Sequence, residues 1–209
     1  MPPDPSVKNL IFDLGGVILN LSVANTLQSF SSVSGHSTQD VKERFFSSSG
    51  FGQYEKGLLT DAEFRDFVRE VYSIKVNDDT IDQCWNAMLL GIPLANLELL
   101  NRLKKKYNVY LLSNTNNIHL NYIQTKLMPA HGENVLLDDY FHRAYYSHLM
   151  KKRKPDAEIF EQVLEENGLK ADESLFLDDL EANITSAKAL GIKTLHVPTS
   201  DHILTYFHV

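Results

Sequence analysis

Val7-Lys8-Asn9-Leu10-Ile11-Phe12-Asp13-Leu14-Gly15-Gly16-Val17-Ile18 is the first patterned stretch of the chain. Its mostly apolar run, 7–12, is short and ends abruptly in a carboxylate, with a glycine pair just beyond. A run of that length reads as a strand buried on both faces, which is the habit of a parallel sheet. Runs of the same kind recur at 109–112, 143–146, 175–177 and 194–197. Helical patterns separate the later ones. From Pro155, acidic Asp156 and Glu158 fill a first turn, Ile159, Phe160, Val163 and Leu164 make an apolar face, and Gly168 is a stop. Strand and helix alternating in this way predict an α/β, doubly wound, Rossmann-like parallel sheet.

The interval 20–92 breaks the alternation. It offers helical stretches at 38–46, 61–72 and 80–90 and no convincing central strand. Phe64, Phe67, Val68 and Val71 share one helix face, with Arg65, Asp66, Arg69 and Glu70 mostly elsewhere. The interval therefore reads as a small helical cap domain, 20–92, inserted into a core made of 1–19 and 93–209. Because it follows the first strand directly, it should sit above the carboxyl end of the sheet, where open α/β folds bind ligands. Its two connections, near Asn20 and Pro93, suit a cap that closes over a site. Serine patches at 29–34 and 47–49 read as loops or helix caps.

Composition narrows the class. The 209 residues are 43% hydrophobic, ordinary for a chain that buries a core. The net charge of −7 arises from 27 acidic and 20 basic residues mixed along the chain, which is not the footprint of a polyanion binder, so nucleic acid is excluded as a partner. The single cysteine, Cys84, has no partner for a disulfide or a metal pair, which fits a reducing, cytoplasmic compartment. The start Met1-Pro2-Pro3-Asp4-Pro5 lacks the features of a secretory signal, and no apolar run approaches the roughly 20 residues of a membrane span.

The chemistry-bearing residues fall at strand ends. Asp13 closes the first strand. The second ends in Leu111-Leu112-Ser113-Asn114-Thr115-Asn116, where a hydroxyl and backbone N–H groups could hold phosphate oxygens or cap a helix. Lys151-Lys152-Arg153-Lys154-Pro155-Asp156 reads as a solvated charge cluster through Arg153, with Lys154 set apart because Pro155 suits a first helical turn and holds the lysine near the sheet's upper rim. Leu175-Phe176-Leu177 ends in Asp178-Asp179, with Asn183 four residues on. Two adjacent carboxylates at an apolar strand's tip repel and call for a cation, and hard oxygen ligands favour Mg²⁺. His119 and His148 belong to no metal-ligand pair and read as structural or surface residues. There is no Gly-x-Ser-x-Gly elbow and no Gly-x-Gly-x-x-Gly after the first strand, against a serine hydrolase and a dinucleotide binder.

The order Asp13, Ser113, Lys154, Asp178-Asp179 resembles the haloacid dehalogenase superfamily over nearly the whole chain. The insert after the first strand is similar to the helical cap of its first subfamily, and the resemblance is nearest to sugar-phosphatase-like members and the amino-terminal phosphatase domains of epoxide hydrolases. It implies attack of Asp13 on phosphorus, an aspartyl-phosphate, and hydrolysis of that ester by water. It also implies that Ser113 and Asn114 hold the phosphoryl group of a small phosphorylated metabolite and that Lys154 offsets charge. Mg²⁺ would be bound by Asp13, the Gly15 carbonyl and Asp179, with Asp178 direct or through water, and Asn183 would orient the acidic pair. The chain departs from the pattern at Gly15, where most such phosphatases carry the aspartate that serves as acid and base, a function worth about 10²- to 10⁴-fold. A slower enzyme, an easy leaving group such as that of a sugar 1-phosphate, a replacement acid from the insert such as Tyr54 or Glu55, which are also candidate substrate contacts, and a weakened phosphate-binding or regulatory protein all follow from that. The Asp178-Asp179 pair argues against a metal-free dehalogenase, and the order of motifs argues against a two-component receiver domain.

Overall fold

The computed structural model describes residues 4–208; Met1 to Pro3 and Val209, at the ends of the expected core segments, lie outside them. The strand β1 (Asn9–Phe12) leads through β2 (Asn20–Leu21) into helices α1 (Val23–Ser34), α2 (Thr38–Ser47), α3 (Gly50–Glu55), α4 (Asp61–Tyr72) and α5 (Asp78–Asn86), then returns through β3 (Leu89–Gly91). There follow α6 (Leu94–Leu103), β4 (Asn108–Ser113), α7 (Asn117–Tyr122), β5 (Arg143–Tyr146), α8 (Ser147–Met150), α9 (Ala157–Glu166), β6 (Ser174–Asp178), α10 (Glu181–Ala189), β7 (Lys193–His196) and α11 (His202–Tyr206). The main sheet has five parallel strands in the order β5-β4-β1-β6-β7. The doubly wound α/β expectation is met.

Alternation along the strands builds a core on each face of the sheet. Leu10, Phe12, Leu111, Leu175 and Leu177 join one cluster, which continues into the insert through residues such as Phe30, Phe51 and Trp85. Ile11, Leu112 and Phe176 point the other way, against Ile159, Phe160 and Val163 of α9 and Ile184 and Ala187 of α10. Phe160 meets Phe176 edge-on at 5.2 Å, a geometry the ring quadrupoles favour. Among the described residues no helix is long and apolar enough to cross a membrane.

The insert departs from expectation in several places. The patch 29–34 lies inside α1, because Thr26, Leu27 and Phe30 bury one face while Ser32 satisfies its hydroxyl on the Gln28 carbonyl at 3.0 Å. The patch 47–49 does lie at helix ends. The stretch 50–55, outside the helical stretches expected of the insert, forms α3, held by Phe51 stacked on Trp85 at 5.6 Å and Tyr54 stacked on Phe64 at 3.9 Å. The helix expected over 80–90 spans Asp78–Asn86, and Leu89–Gly91 turns back to pair antiparallel with Asn20–Leu21. The helix α4 forms as expected: Thr60 and Glu63 make a reciprocal capping box, and Phe64, Val68 and Tyr72 are buried. Pro155 stands outside the first helical turn expected for it. The helix α9 opens at Ala157, and the Lys154-Pro155 peptide bond is cis.

Candidate active site

Register determines which side chains meet. Phe12 of the central strand is level with Leu111 of β4 on one side and Leu177 of β6 on the other. The next residue on each path, or the one after, therefore emerges at a common rim, and these residues are Asp13, Ser113 and Asp178. This rim is also where successive strands pass from one side of β1 to the other, the place at which open sheets leave a crevice. A cavity of about 290 Å³ opens there, lined at its base by Asp13, Gly15, Ser113, Asn114, Lys154, Asp179 and Asn183. That is near the lower end for small-molecule sites and suits a small ligand.

Lys154 is the centre of the base. Its Nζ donates to Asp13 Oδ1 at 2.6 Å, Asp178 Oδ2 at 2.7 Å and the Leu112 carbonyl at 2.8 Å. All three ammonium protons are thus used by a side chain that is 1% exposed. Burial opposes its charge, but Asp13 and Asp178 together outweigh that, and its pKa is raised. Burial likewise pushes the Asp13 carboxyl above its ordinary range, against the pull of Lys154, with Asp178 and Asp179 adding to the rise. Asn114 locks the lysine's backbone: its Oδ1 accepts from Lys154 N and its Nδ2 donates to Lys154 O, both at 2.9 Å. The Asn114 side chain is therefore bound to the loop through both its oxygen and its nitrogen.

The acidic pair divides its work. Asp178 is fully buried and accepts from Leu180 N at 2.8 Å, from Asn183 Nδ2 at 2.9 and 3.0 Å, and from Lys154. Asp179 is only partly buried and turns into the cavity, its carboxyl pushed up by burial and by Asp178. One oxygen each from Asp13, Asp178 and Asp179 lies within 4.8 Å of the others. Three carboxylates against a single ammonium leave an excess of negative charge that a hard divalent cation would neutralise, so the donor set fits Mg²⁺. Gly16 makes that approach possible. At φ +77° it takes a conformation L side chains avoid, and a Cβ there would stand 2.6 Å from Asp179 Oδ2. A Cβ at Gly15 would meet only the Leu21 methyls, at 3.4 and 3.8 Å.

The roof comes from the insert. Phe45, Trp85, Met88 and Leu89 line it, with Glu55 from the end of α3. Glu55 Oε2 is 2.8 Å from Arg153 Nη2, and both side chains face the cavity. Burial pushes the Glu55 carboxyl up, Arg153 and Lys154 drawing it back. Tyr54 is not brought to the cavity. It packs on Phe64, donates to Asp61 Oδ1 at 2.7 Å and accepts from Ile118 N at 3.2 Å. His119 stacks on Trp85 at 4.7 Å, with Nε2 3.1 Å from the Trp85 carbonyl and Nδ1 3.2 Å from Asn116 Nδ2. Burial lowers its pKa to about 4, so it is a neutral wall of the cavity. His148 is buried as well.

Residues 7–191 match the family model of the haloacid dehalogenase-like hydrolases. The chain belongs to this family. It is 29% identical, over 90% of its own length and 90% of the relative's, to a D-ribitol-5-phosphate phosphatase of Bacteroides thetaiotaomicron. Among solved structures it resembles a HAD family enzyme of that organism crystallised with magnesium and inorganic phosphate, at 42% identity and TM-score 0.83 over 91% of this chain and 93% of the other. A HAD-like hydrolase from Porphyromonas gingivalis superposes with TM-score 0.82 at 28% identity, covering 91% of both chains.

For a haloacid dehalogenase-like hydrolase, two features of the site escape sequence reasoning. Arg153, grouped with the solvated lysines beside it, is a cavity residue paired with Glu55 across the chain. Nothing in its local spacing signals this, because its partner is 98 positions away. Gly16 makes room for the Asp179 carboxylate. The Gly-Gly pair in the sequence carried that signal without naming the group it accommodates.

Proposed function

We propose that this chain is a Mg²⁺-dependent phosphatase that hydrolyses a small phosphate monoester through an aspartyl-phosphate on Asp13. The observation that carries the reading is the convergence of Asp13, Lys154 and Asp179 at the base of one cavity, with buried Asp178 bonded to Lys154 beside them. The relative that acts on D-ribitol 5-phosphate and the similar structure holding magnesium and phosphate support it, and make a sugar or polyol phosphate the first substrate class to test.

In this mechanism Asp13 supplies the attacking oxygen from a position fixed by its hydrogen bond to Lys154. The Lys154 ammonium stabilises charge on the nucleophile and the transferring oxygens, preorganised by the Leu112 carbonyl and Asn114. The Ser113 hydroxyl and the Asn114 backbone N–H hold phosphoryl oxygens. Asp13, the Gly15 carbonyl and Asp179 would hold Mg²⁺, with Asp178 direct or through water, and the ion neutralises phosphoryl charge when bound. Asn183 orients Asp178. Residues 1–19 and 93–209 act as the catalytic core and 20–92 as the cap that shapes the substrate's side of the cavity.

A second reading, a weakened phosphate-binding or regulatory protein, is favoured by the missing side chain at Gly15. A screen of phosphate release from sugar, polyol and p-nitrophenyl phosphates separates the two. Turnover that needs Mg²⁺ and disappears in Asp13→Asn is the expected result. Phosphate binding without turnover would establish the second reading, and turnover in Asp13→Asn would end the first.

A further inference from the structure

Gly15 leaves the proposed phosphatase without a proton donor at the usual place, and the cavity itself points to another. Asp13, Asp178 and Asp179 are engaged by Lys154 and the cation set. Among the described residues, the other carboxyl that lines the cavity is Glu55, which comes from the end of α3 in the roof. It is also held in place. Ser147 Oγ donates to the Glu55 carbonyl at 2.6 Å and accepts from Thr115 N at 2.9 Å, tying the end of α3 to the loop after β4. Lys56 pairs with Asp156 at 2.8 Å, and Lys151 donates to the Gly57 carbonyl. Arg153 completes the set at the carboxyl group, and it is next to Lys154 in the chain, so the roof acid and the base ammonium are positioned by neighbouring residues of one loop.

We propose that Glu55 is the general acid and base of this site and that Arg153 is its positioning residue, an assignment that rests on the phosphatase reading above. As Asp13 Oδ bonds to phosphorus and the bond from phosphorus to the leaving oxygen breaks, the Glu55 carboxylic acid gives its proton to that oxygen and the alcohol departs. Glu55, now a carboxylate, takes a proton from water as the water oxygen bonds to phosphorus and the bond to Asp13 breaks. Inorganic phosphate leaves, and Asp13 as carboxylate and Glu55 as acid are restored. Burial favours the protonated start, because a carboxyl removed from water resists ionising. The hydroxyl of Tyr54, one residue away, is bonded to Asp61 outside the cavity and is not available for the task.

The test is Glu55→Gln, which keeps the size and the hydrogen bond to Arg153 but cannot transfer a proton. For alkyl and sugar phosphates, whose alkoxide leaves poorly, kcat/KM should fall by about 10²- to 10⁴-fold. For p-nitrophenyl phosphate, whose leaving group needs no proton, kcat/KM should fall less than about threefold, because that parameter reports the first half of the reaction. Slowed attack by water should then give a stoichiometric burst of p-nitrophenolate before a slow steady state. An equal loss on all substrates with no burst would overturn the assignment, and so would unchanged rates on alkyl phosphates. The Asp13→Asn control keeps the two readings apart: loss of all turnover there leaves the phosphatase reading intact whatever Glu55→Gln does.

Discussion

The base and the roof of the cavity are built on different principles. The base is polar and crowded with charge, its ammonium fully donated to named acceptors and its carboxylates drawn from the tips of two neighbouring parallel strands, β1 and β6. The roof is apolar apart from Glu55, which Arg153 of the core meets, and it comes mainly from helices held together by aromatic stacking. On the function proposed above, attack on the phosphorus of any ester belongs to a part fixed by a sheet's register, and the response to the ester's leaving group belongs to a part built on separate helices. Substitutions in the base should therefore damage every substrate alike, and substitutions in the roof should discriminate.

The largest effect should come from the proposed nucleophile. Asp13→Asn is expected to reduce phosphate release by at least about 10⁴-fold on every substrate, with folding retained by circular dichroism. Residual activity that varied among substrates would blur the division between base and roof. Lys154→Met comes next, because it leaves Asp13 and Asp178 buried without their cation. Breaking a buried pair in this way costs about 3–5 kcal/mol, measured by urea denaturation at neutral pH. A variant as stable as the parent would mean that the network is not what holds the rim together.

The base was legible in the sequence because its residues sit at strand ends, and strand ends follow from apolar run length. Phe12-Asp13 and Leu177-Asp178 are read directly once the flanking runs are taken as buried strands, and parallel register does the rest. The roof was less legible. The α1 serines look like a loop until the buried face of Thr26, Leu27 and Phe30 is seen, and a stretch with glycines at 50, 52 and 57 looks flexible until Phe51 is found against Trp85. Both depend on contacts made across the insert, which override local propensity. The Glu55 and Arg153 pair was hidden for the same reason, whereas Lys154 stood out through its position beside Pro155, although the proline is not in the helical turn that reasoning assumed.

The wall between the two parts offers a smaller, pH-dependent test. His119 is neutral in the fold, with a pKa lowered from 6.5 to about 4 by burial, so the unfolded chain takes up its proton first as pH falls. Its contribution is complete above pH 6.5 and is lost between pH 6.5 and 4, an effect of up to about 3 kcal/mol. Denaturation midpoints should drop over that window in the parent and drop less in His119→Gln; parallel curves would show that another group sets the acid limb. Gly16→Ala should weaken Mg²⁺ by about 10- to 100-fold, seen as a higher concentration for half-activation, because the new Cβ displaces Asp179.

The finest test compares adjacent residues on α3. Tyr54 and Glu55 were equal candidates from sequence, yet one points into the protein and the other into the cavity. Removing the Tyr54 hydroxyl takes away its bonds to Asp61 and to the Ile118 N–H while leaving the ring stacked on Phe64. Tyr54→Phe should therefore cost about 1 kcal/mol, lowering the melting temperature by about 2–4 °C. Its kcat/KM values for alkyl and p-nitrophenyl phosphates should stay within about twofold of the parent's, well below the effect expected of a lost general acid. If instead Tyr54→Phe lost rate selectively on poor leaving groups, the proton would be coming from the tyrosine, and its hydroxyl would have to leave Asp61 and the Ile118 N–H to deliver it.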